Sequence, residues 1–191
     1  MNSGIRIAVD LDETIAAFST ALLRLIEEEK GTLTQEVREG WWKLWNTDTF
    51  EGRLMNRAYF DSNFWRTLPL ECSEYEMKRL ATIANDSPHD VFFFTYRPTR
   101  CYDVTLKWLQ YYGIKNPMLL CGAEDKGDLC RGLAIKHHLD DRYFIAYGVK
   151  QRSPMTTSWL LTQPHNIEHR VEDKGLIRVH SILDWLNEIY I

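Results

Sequence analysis

What the sequence lacks narrows its chemistry before any motif is read. Its four cysteines, Cys72, Cys101, Cys121 and Cys130, lie far apart with no Cys-x-x-Cys pair. Neither a zinc site nor a disulfide framework is signalled, and reduced thiols are expected. Basic residues are not in excess, since 23 lysines and arginines face 27 aspartates and glutamates for a formal net charge of -4. That balance argues against a protein that coats duplex DNA or an anionic membrane, because counterion release rewards basic surfaces. A phosphate-bearing ligand would have to be bound locally. No apolar run approaches the roughly 18 residues of a membrane span, and no basic segment followed by a long apolar one opens the chain, so a cytoplasmic protein is expected. Repeats and low-complexity tails are absent too.

What is present is an ordinary folded composition, 45% hydrophobic, 26% charged and 13% aromatic over 191 residues, enough for one sizeable core with an insertion. Short apolar runs predict strands over Ile5–Asp10, Asp90–Thr95, Pro117–Cys121, His137–Asp141, Ser158–Thr162 and Gly175–Val179. Helical patterns cover Ile15–Lys30, Ser73–Asn85, Pro98–Tyr112, Lys126–Ile135 and "SILDWLNEIY", where Ser181 and Asp184 resemble a capping box. Strands alternating with helices predict an α/β fold, a Rossmann-like parallel sheet with helices on both faces. Residues 15–85 hold no convincing strand and are read as a small helical cap inserted after the first strand. Residues 1–14 and 86–191 then form the core. A cap in that place would stand over the carboxyl ends of the strands, where open α/β sheets bind ligands.

The stretch "RIAVDLDETIAAF" ends a buried strand with two aspartates, Asp10 and Asp12. Residues two apart in an extended chain point the same way, here roughly 6 to 7 Å apart. Such a pair is tolerable when a cation neutralises one member or when one is held protonated as an acid. Two further strands deliver Thr95 and the pair Asp140 and Asp141 to the same edge. The resulting all-oxygen site suits Mg²⁺. A phosphate there also needs a fixed protein cation. Lys136 lies roughly 13 Å from the strand tip, whereas Lys126 opens the preceding helix near that edge and is the better candidate.

In order, "IAVDLDET", "VFFFTYRP", "DKGDLCRGLAI" and "HHLDD" resemble the four motifs of the haloacid dehalogenase superfamily. Within it the chain is similar to the 5'(3')-deoxyribonucleotidases, by its length, its helical cap and the stretches "SNFWRTLPL" and "SWLLTQPHN". The resemblance implies a Mg²⁺-dependent phosphomonoesterase with Asp10 as nucleophile and Asp12 as acid and base. It implies metal ligands from Asp10, the Asp12 carbonyl, and Asp140 or Asp141. Thr95 would hold phosphoryl oxygens, Lys126 would stabilise the shared charge, and Thr14 would orient the first loop. Phe18 matches a position that packs against a nucleobase, and Phe64, Trp65 and Tyr96 join it as candidate substrate contacts. The implied partner is a small phosphate monoester, a nucleotide, with no membrane or duplex nucleic acid. Other phosphate esters, a polynucleotide 3' end and a non-catalytic nucleotide-binding module are the alternative readings.

Three departures from that pattern are visible: Tyr96 follows Thr95, the Lys126 to Asp140 spacing is long, and Glu13 stands where those relatives usually carry glycine. Phe18 also falls on a stripe with Ile15, Leu22 and Leu25, which fits a core role equally well. Trp41, Trp42 and Trp45 are expected to build the cap's own core. His137, His138, His165 and His169 are read as structural or surface residues.

Overall fold

The β-branched run after Ile5 forms strand β1 (Arg6–Asp10), buried from Ile7 onward. In the computed structural model, which describes residues 4–45, 47–171 and 174–189, five more strands follow: β2 (Asp90–Thr95), β3 (Met118–Cys121), β4 (His137–Asp140), β5 (Thr157–Leu161) and β6 (Ile177–Val179). They pair in parallel in the order β3-β2-β1-β4-β5-β6. The chain lays down one side of β1 and then the other, so the sheet's direction of growth reverses between β1 and β4. A crevice forms at the carboxyl ends at such a reversal.

Side chains alternate across the sheet. Ile7, Val9, Val91, Phe93 and Leu139 enter the main core, while Ala8, Phe92 and Phe94 face a second one. The insertion comprises α1 (Phe18–Lys30), α2 (Gln35–Glu39), a 3₁₀ turn at Trp41–Leu44, α3 (Phe50–Phe60) and α4 (Ser62–Arg66). Helices α5 (Glu74–Asp86), α6 (Tyr102–Tyr111), α7 (Lys126–Gly132), α8 (Tyr143–Arg152) and α9 (Ile182–Glu188) follow. Leu80 of α5, Trp108 of α6 and Trp185 of α9 pack on the first face, and Cys130 of α7 and Val149 of α8 on the second. No helix among the described residues is long and apolar enough to cross a membrane.

The structure redraws several boundaries. Helix α1 begins at Phe18 rather than Ile15, because the Leu11 carbonyl takes the N–H groups of Thr14, Ile15 and Ala16. Ala16 then bridges to Leu70, flanked by Ala17 N–H to the Pro69 carbonyl (2.9 Å) and Glu71 N–H to the Ile15 carbonyl (2.7 Å). The chain thus leaves and re-enters the core at adjacent points. Helix α5, placed in the cap by its sequence position, lies instead on the sheet beside β2 and α9. Its N-terminus carries a full capping box between Ser73 and Glu76. Ser181 only accepts from Asp184 N–H, at 2.9 Å, and the Tyr190 end of the expected helix lies outside the described residues. Helix α7 stops at Gly132, short of Ile135, as Ala134 takes a φ of 53°. Helix α8 is missing from the sequence reading, its aromatics and Gly148 blurring the 3.6-residue period.

Candidate active site

Strands β1, β2 and β4 end side by side and carry Asp10, Thr95 and Asp140 to one edge, with Asp141 next along the chain. Carboxylate oxygens of Asp10, Asp140 and Asp141 lie within 4.8 Å of one another, all three residues buried. Into this cluster reaches Lys126, the first residue of α7, whose N-terminus is capped by Asp125 accepting from Asp128 N–H at 3.0 Å. The buried ammonium donates to Asp10 and, at 2.7 Å, to Asp140. Gly127 makes the placement possible: a Cβ there would meet the Arg152 Cβ at 2.9 Å and the Gly148 carbonyl at 3.1 Å. Glycine lets α7 seat closely on α8.

Three buried carboxylates face one buried ammonium. Burial lowers the Lys126 pKa, but Asp10 and Asp140 overcome it, and the net shift is upward. Burial raises Asp10 despite Lys126, and it raises Asp141, reinforced by Asp140 and Glu13. Burial also holds His138, 3.6 Å from Asp140, down at about 4. The cluster therefore lacks positive charge, which a divalent cation would supply. The oxygens available fit one. Both Asp140 oxygens are occupied, by Lys126 and by Arg142 N–H (2.9 Å), whereas Asp141 Oδ1 is buried with no hydrogen-bond partner among the described residues. A hard, all-oxygen set with a free carboxylate oxygen suits Mg²⁺.

Asp12 sits apart from that cluster. Arg97 Nη2 donates to its Oδ1 at 2.7 Å, Arg97 Nε lies 3.1 Å from both oxygens, and Thr95 Oγ1 donates to Oδ2 at 3.0 Å. Thr95 is fully buried and spends its hydroxyl on Asp12 and on the Arg97 N–H. Arg97 escaped the sequence reading. Its signal was its place two residues beyond Thr95, on the same side of an extended chain. Glu13 takes a φ of 61°, a left-handed conformation that favours glycine. Its carboxylate accepts from Ser19 N–H (2.6 Å) and Ser19 Oγ (2.7 Å), which offsets the strain. Burial raises its pKa to about 7, against the opposing Ser19 bonds.

Above the carboxylates opens a cavity of about 720 Å³. Asp10, Asp12 and Asp141 form its floor. The cap contributes Phe18, Trp41, Trp42, Trp45, Tyr59 and Trp65, and the core contributes Tyr96, Arg142, Tyr143, Phe144, His165 and His169. Of the expected substrate contacts, Phe18, Trp65 and Tyr96 line this cavity. Phe64 does not; it packs edge-on against Phe18 and Trp65. Thr14 lines a separate cavity of about 220 Å³ beside Glu71 and His180. The tryptophan expectation holds for Trp41, which packs against the core with its ring 5.7 Å from Phe18. It is corrected for Trp42 and Trp45, which are 39% and 41% exposed and stand in the wall, while Trp65, 2% exposed and stacked on Phe18 at 5.3 Å, lies in the cap's core. His165 and His169 are likewise wall residues. Tyr96 lies with its ring 5.7 Å from Lys126 Nζ and 5.3 Å from the Arg142 guanidinium, and its carbonyl accepts from Tyr59 Oη at 3.0 Å, joining cap to core.

No protein-family model and no curated protein sequence matches the chain. Solved structures do. A haloacid dehalogenase-like family hydrolase from Streptococcus pneumoniae superposes with a TM-score of 0.67 at 13% identity, covering 99% of this chain and all of that one. A protein assigned as a beta-phosphoglucomutase from Thermotoga maritima gives 0.63 at 11% identity over 97% and 99% of the two chains. A protein assigned to the HAD hydrolases from Bacillus subtilis, solved with magnesium bound, gives 0.60 at 11% identity over the whole of both. With its six-stranded parallel sheet flanked by helices, the chain has the haloacid dehalogenase-like α/β fold.

Proposed function

We propose that the protein is a Mg²⁺-dependent phosphomonoester hydrolase whose substrates are nucleoside monophosphates, deoxyribonucleotides among them. The observation that carries this reading is the buried Lys126 between Asp10 and Asp140, with Asp12 two residues along, under a cavity walled by aromatic rings. Asp10, Asp141 and the Asp12 backbone carbonyl would hold the metal. Bound there, it would screen the repulsion between Asp10 and a phosphate dianion. In the first half-reaction an Asp10 oxygen bonds to phosphorus as the bond to the leaving oxygen breaks, and Asp12 gives that oxygen a proton. In the second, Asp12 takes a proton from water as the water oxygen bonds to phosphorus and the Asp10–phosphorus bond breaks, releasing phosphate. Lys126 stabilises the charge shared by Asp10 and the transferring group.

Asp12 favours phosphoester over carbon–halogen chemistry. A halide departs without a proton, whereas an alkoxide needs one, so an acid beside the nucleophile has work only with the ester. The aromatic walls favour a planar ring, since rings stack on rings. The direct test is phosphate release with Mg²⁺ from a panel of nucleotides and sugar phosphates, wild type against Asp10→Asn. Equal turnover by the two proteins would sink the mechanism, and turnover of sugar phosphates alone would sink the substrate class.

A further inference from the structure

Asp141 is held from two sides by one loop. Its backbone carbonyl accepts from the buried Asn166 side chain at 2.6 Å and lies 3.3 Å from His165 Nε2. Its Oδ2 lies 2.9 Å from the same Nε2, so that ring nitrogen faces two acceptors and carries the proton. Asn166 also donates to the Leu161 carbonyl at 2.7 Å, and its Oδ1 accepts from Arg178 at 2.9 Å. Arg178 reaches on to the His169 carbonyl at 2.7 Å, so the loop is pinned to β5 and β6. His165 therefore sits on a rigid support. Its ring meets Trp42 of the cap at 5.8 Å, and its side chain is 16% exposed. The other Asp141 oxygen, Oδ1, is buried and has no hydrogen-bond partner among the described residues.

We propose that His165 is a positioning residue for the cation site: by holding its Nε2 proton between the backbone carbonyl and Oδ2 of Asp141 it fixes the rotation of that carboxylate and leaves Oδ1 as the oxygen free to ligate. A carboxylate that can spin presents either oxygen, or neither, to a cation, and a fixed donor on one oxygen removes that freedom. Because the donor loop belongs to the core, the orientation persists whatever the cap does. The assignment deepens the metal-dependent reading above and rests on it.

Direct cation binding by the full chain, without substrate, separates this role from a merely structural one. The probe is Mn²⁺ titrated calorimetrically into wild type, His165→Leu, His165→Gln and His165→Asn, with Asp10→Asn as reference. Leucine keeps bulk and loses the donor. Glutamine can place its amide N–H near the Nε2 position, and asparagine is too short to do so. The expected result is a loss of about 10- to 100-fold in Mn²⁺ affinity for leucine and asparagine, with glutamine restoring most of it. Unchanged thermal unfolding of the metal-free proteins should accompany this, and asparagine gives the answer should the leucine protein not fold. Wild-type affinity in the leucine or asparagine protein, or a glutamine protein as weak as leucine, overturns the assignment of His165 and leaves the hydrolase reading standing. Mn²⁺ binding to wild type no tighter than to Asp10→Asn overturns the metal site itself, and His165's role with it.

Discussion

Arg97 grips Asp12 by both carboxylate oxygens, and its guanidinium has no exposed surface. It lies 4.8 Å over the Trp65 ring of the cap and 5.6 Å over the Trp108 ring of the core. The group that fixes the proposed acid is thus itself fixed by both halves of the molecule. Cation–π contacts of this kind strengthen when desolvated, so the fork has little freedom to rotate away from Asp12.

Arg97→Lys keeps the charge and loses the planar fork, which at a bidentate, stacked site is not a conservative change. The expected outcome is a fall in kcat for a nucleoside monophosphate of about 10²- to 10³-fold, the scale of general acid–base catalysis. p-Nitrophenyl phosphate, whose leaving group needs no proton, should lose much less in the first half-reaction, read as the burst of p-nitrophenol. Pre-steady-state release of the leaving group from both substrates checks this, and an equal loss in that step on the two would show that Arg97 does not act through Asp12.

Lys126→Met removes the ammonium bonded to Asp10 and Asp140. Breaking a buried pair from one side costs about 3–5 kcal/mol through the charge left behind. Urea unfolding of the metal-free protein should show a fall of that order with an unchanged slope. Added Mg²⁺ should recover part of the stability by mass action and none of the activity. A methionine protein as stable as wild type would mean that the carboxylates do not depend on the ammonium.

The grouping of Asp10, Lys126, Asp140 and Asp141 is legible in the sequence because each ends or directly follows a strand or starts a helix, and a parallel sheet brings such ends together. Arg97 is less legible, since its partner Asp12 lies 85 positions away and no local period links the two. His165 and Trp42 are less legible still. One sits in an irregular loop and the other in a short 3₁₀ turn, and their positions depend on packing between segments far apart in the chain. Glu13 shows the reverse case, where a departure noticed in the sequence has its explanation only in a backbone angle.

Glu13 gives a pH dependence with a definite sign. Burial raises its pKa from the usual 4.5 to about 7, so the folded protein binds this proton more tightly than the unfolded chain does. The stability it contributes is complete below pH 4.5 and is lost as pH rises to 7. Glutamine at 13 mimics the protonated form and has no charge to acquire. The stability of Glu13→Gln relative to wild type should therefore climb between pH 4.5 and 7 and level off above. Denaturant midpoints at fixed Mg²⁺ across that range check it, and a flat difference would place the Glu13 titration elsewhere.

Trp65 and Trp42 separate cap core from cavity wall. Trp65 is 2% exposed, stacks on Phe18 and donates its Nε1–H to the Tyr59 carbonyl at 3.0 Å. Trp65→Ala should cost about 3–5 kcal/mol of stability, as large-to-small changes at buried aromatics do. Trp42, 39% exposed, touches Trp41 and His165 across the cavity mouth. Trp42→Ala should leave the unfolding midpoint nearly unchanged. If it stacks on the substrate's ring, the loss of about 1–3 kcal/mol per stacked base would raise KM for a nucleoside monophosphate while leaving KM for phenyl phosphate, which offers a smaller ring, less affected. A Trp42→Ala protein with unaltered KM for every nucleotide would remove this wall from substrate recognition and leave Phe18, which lines the same cavity, as the residue to test next.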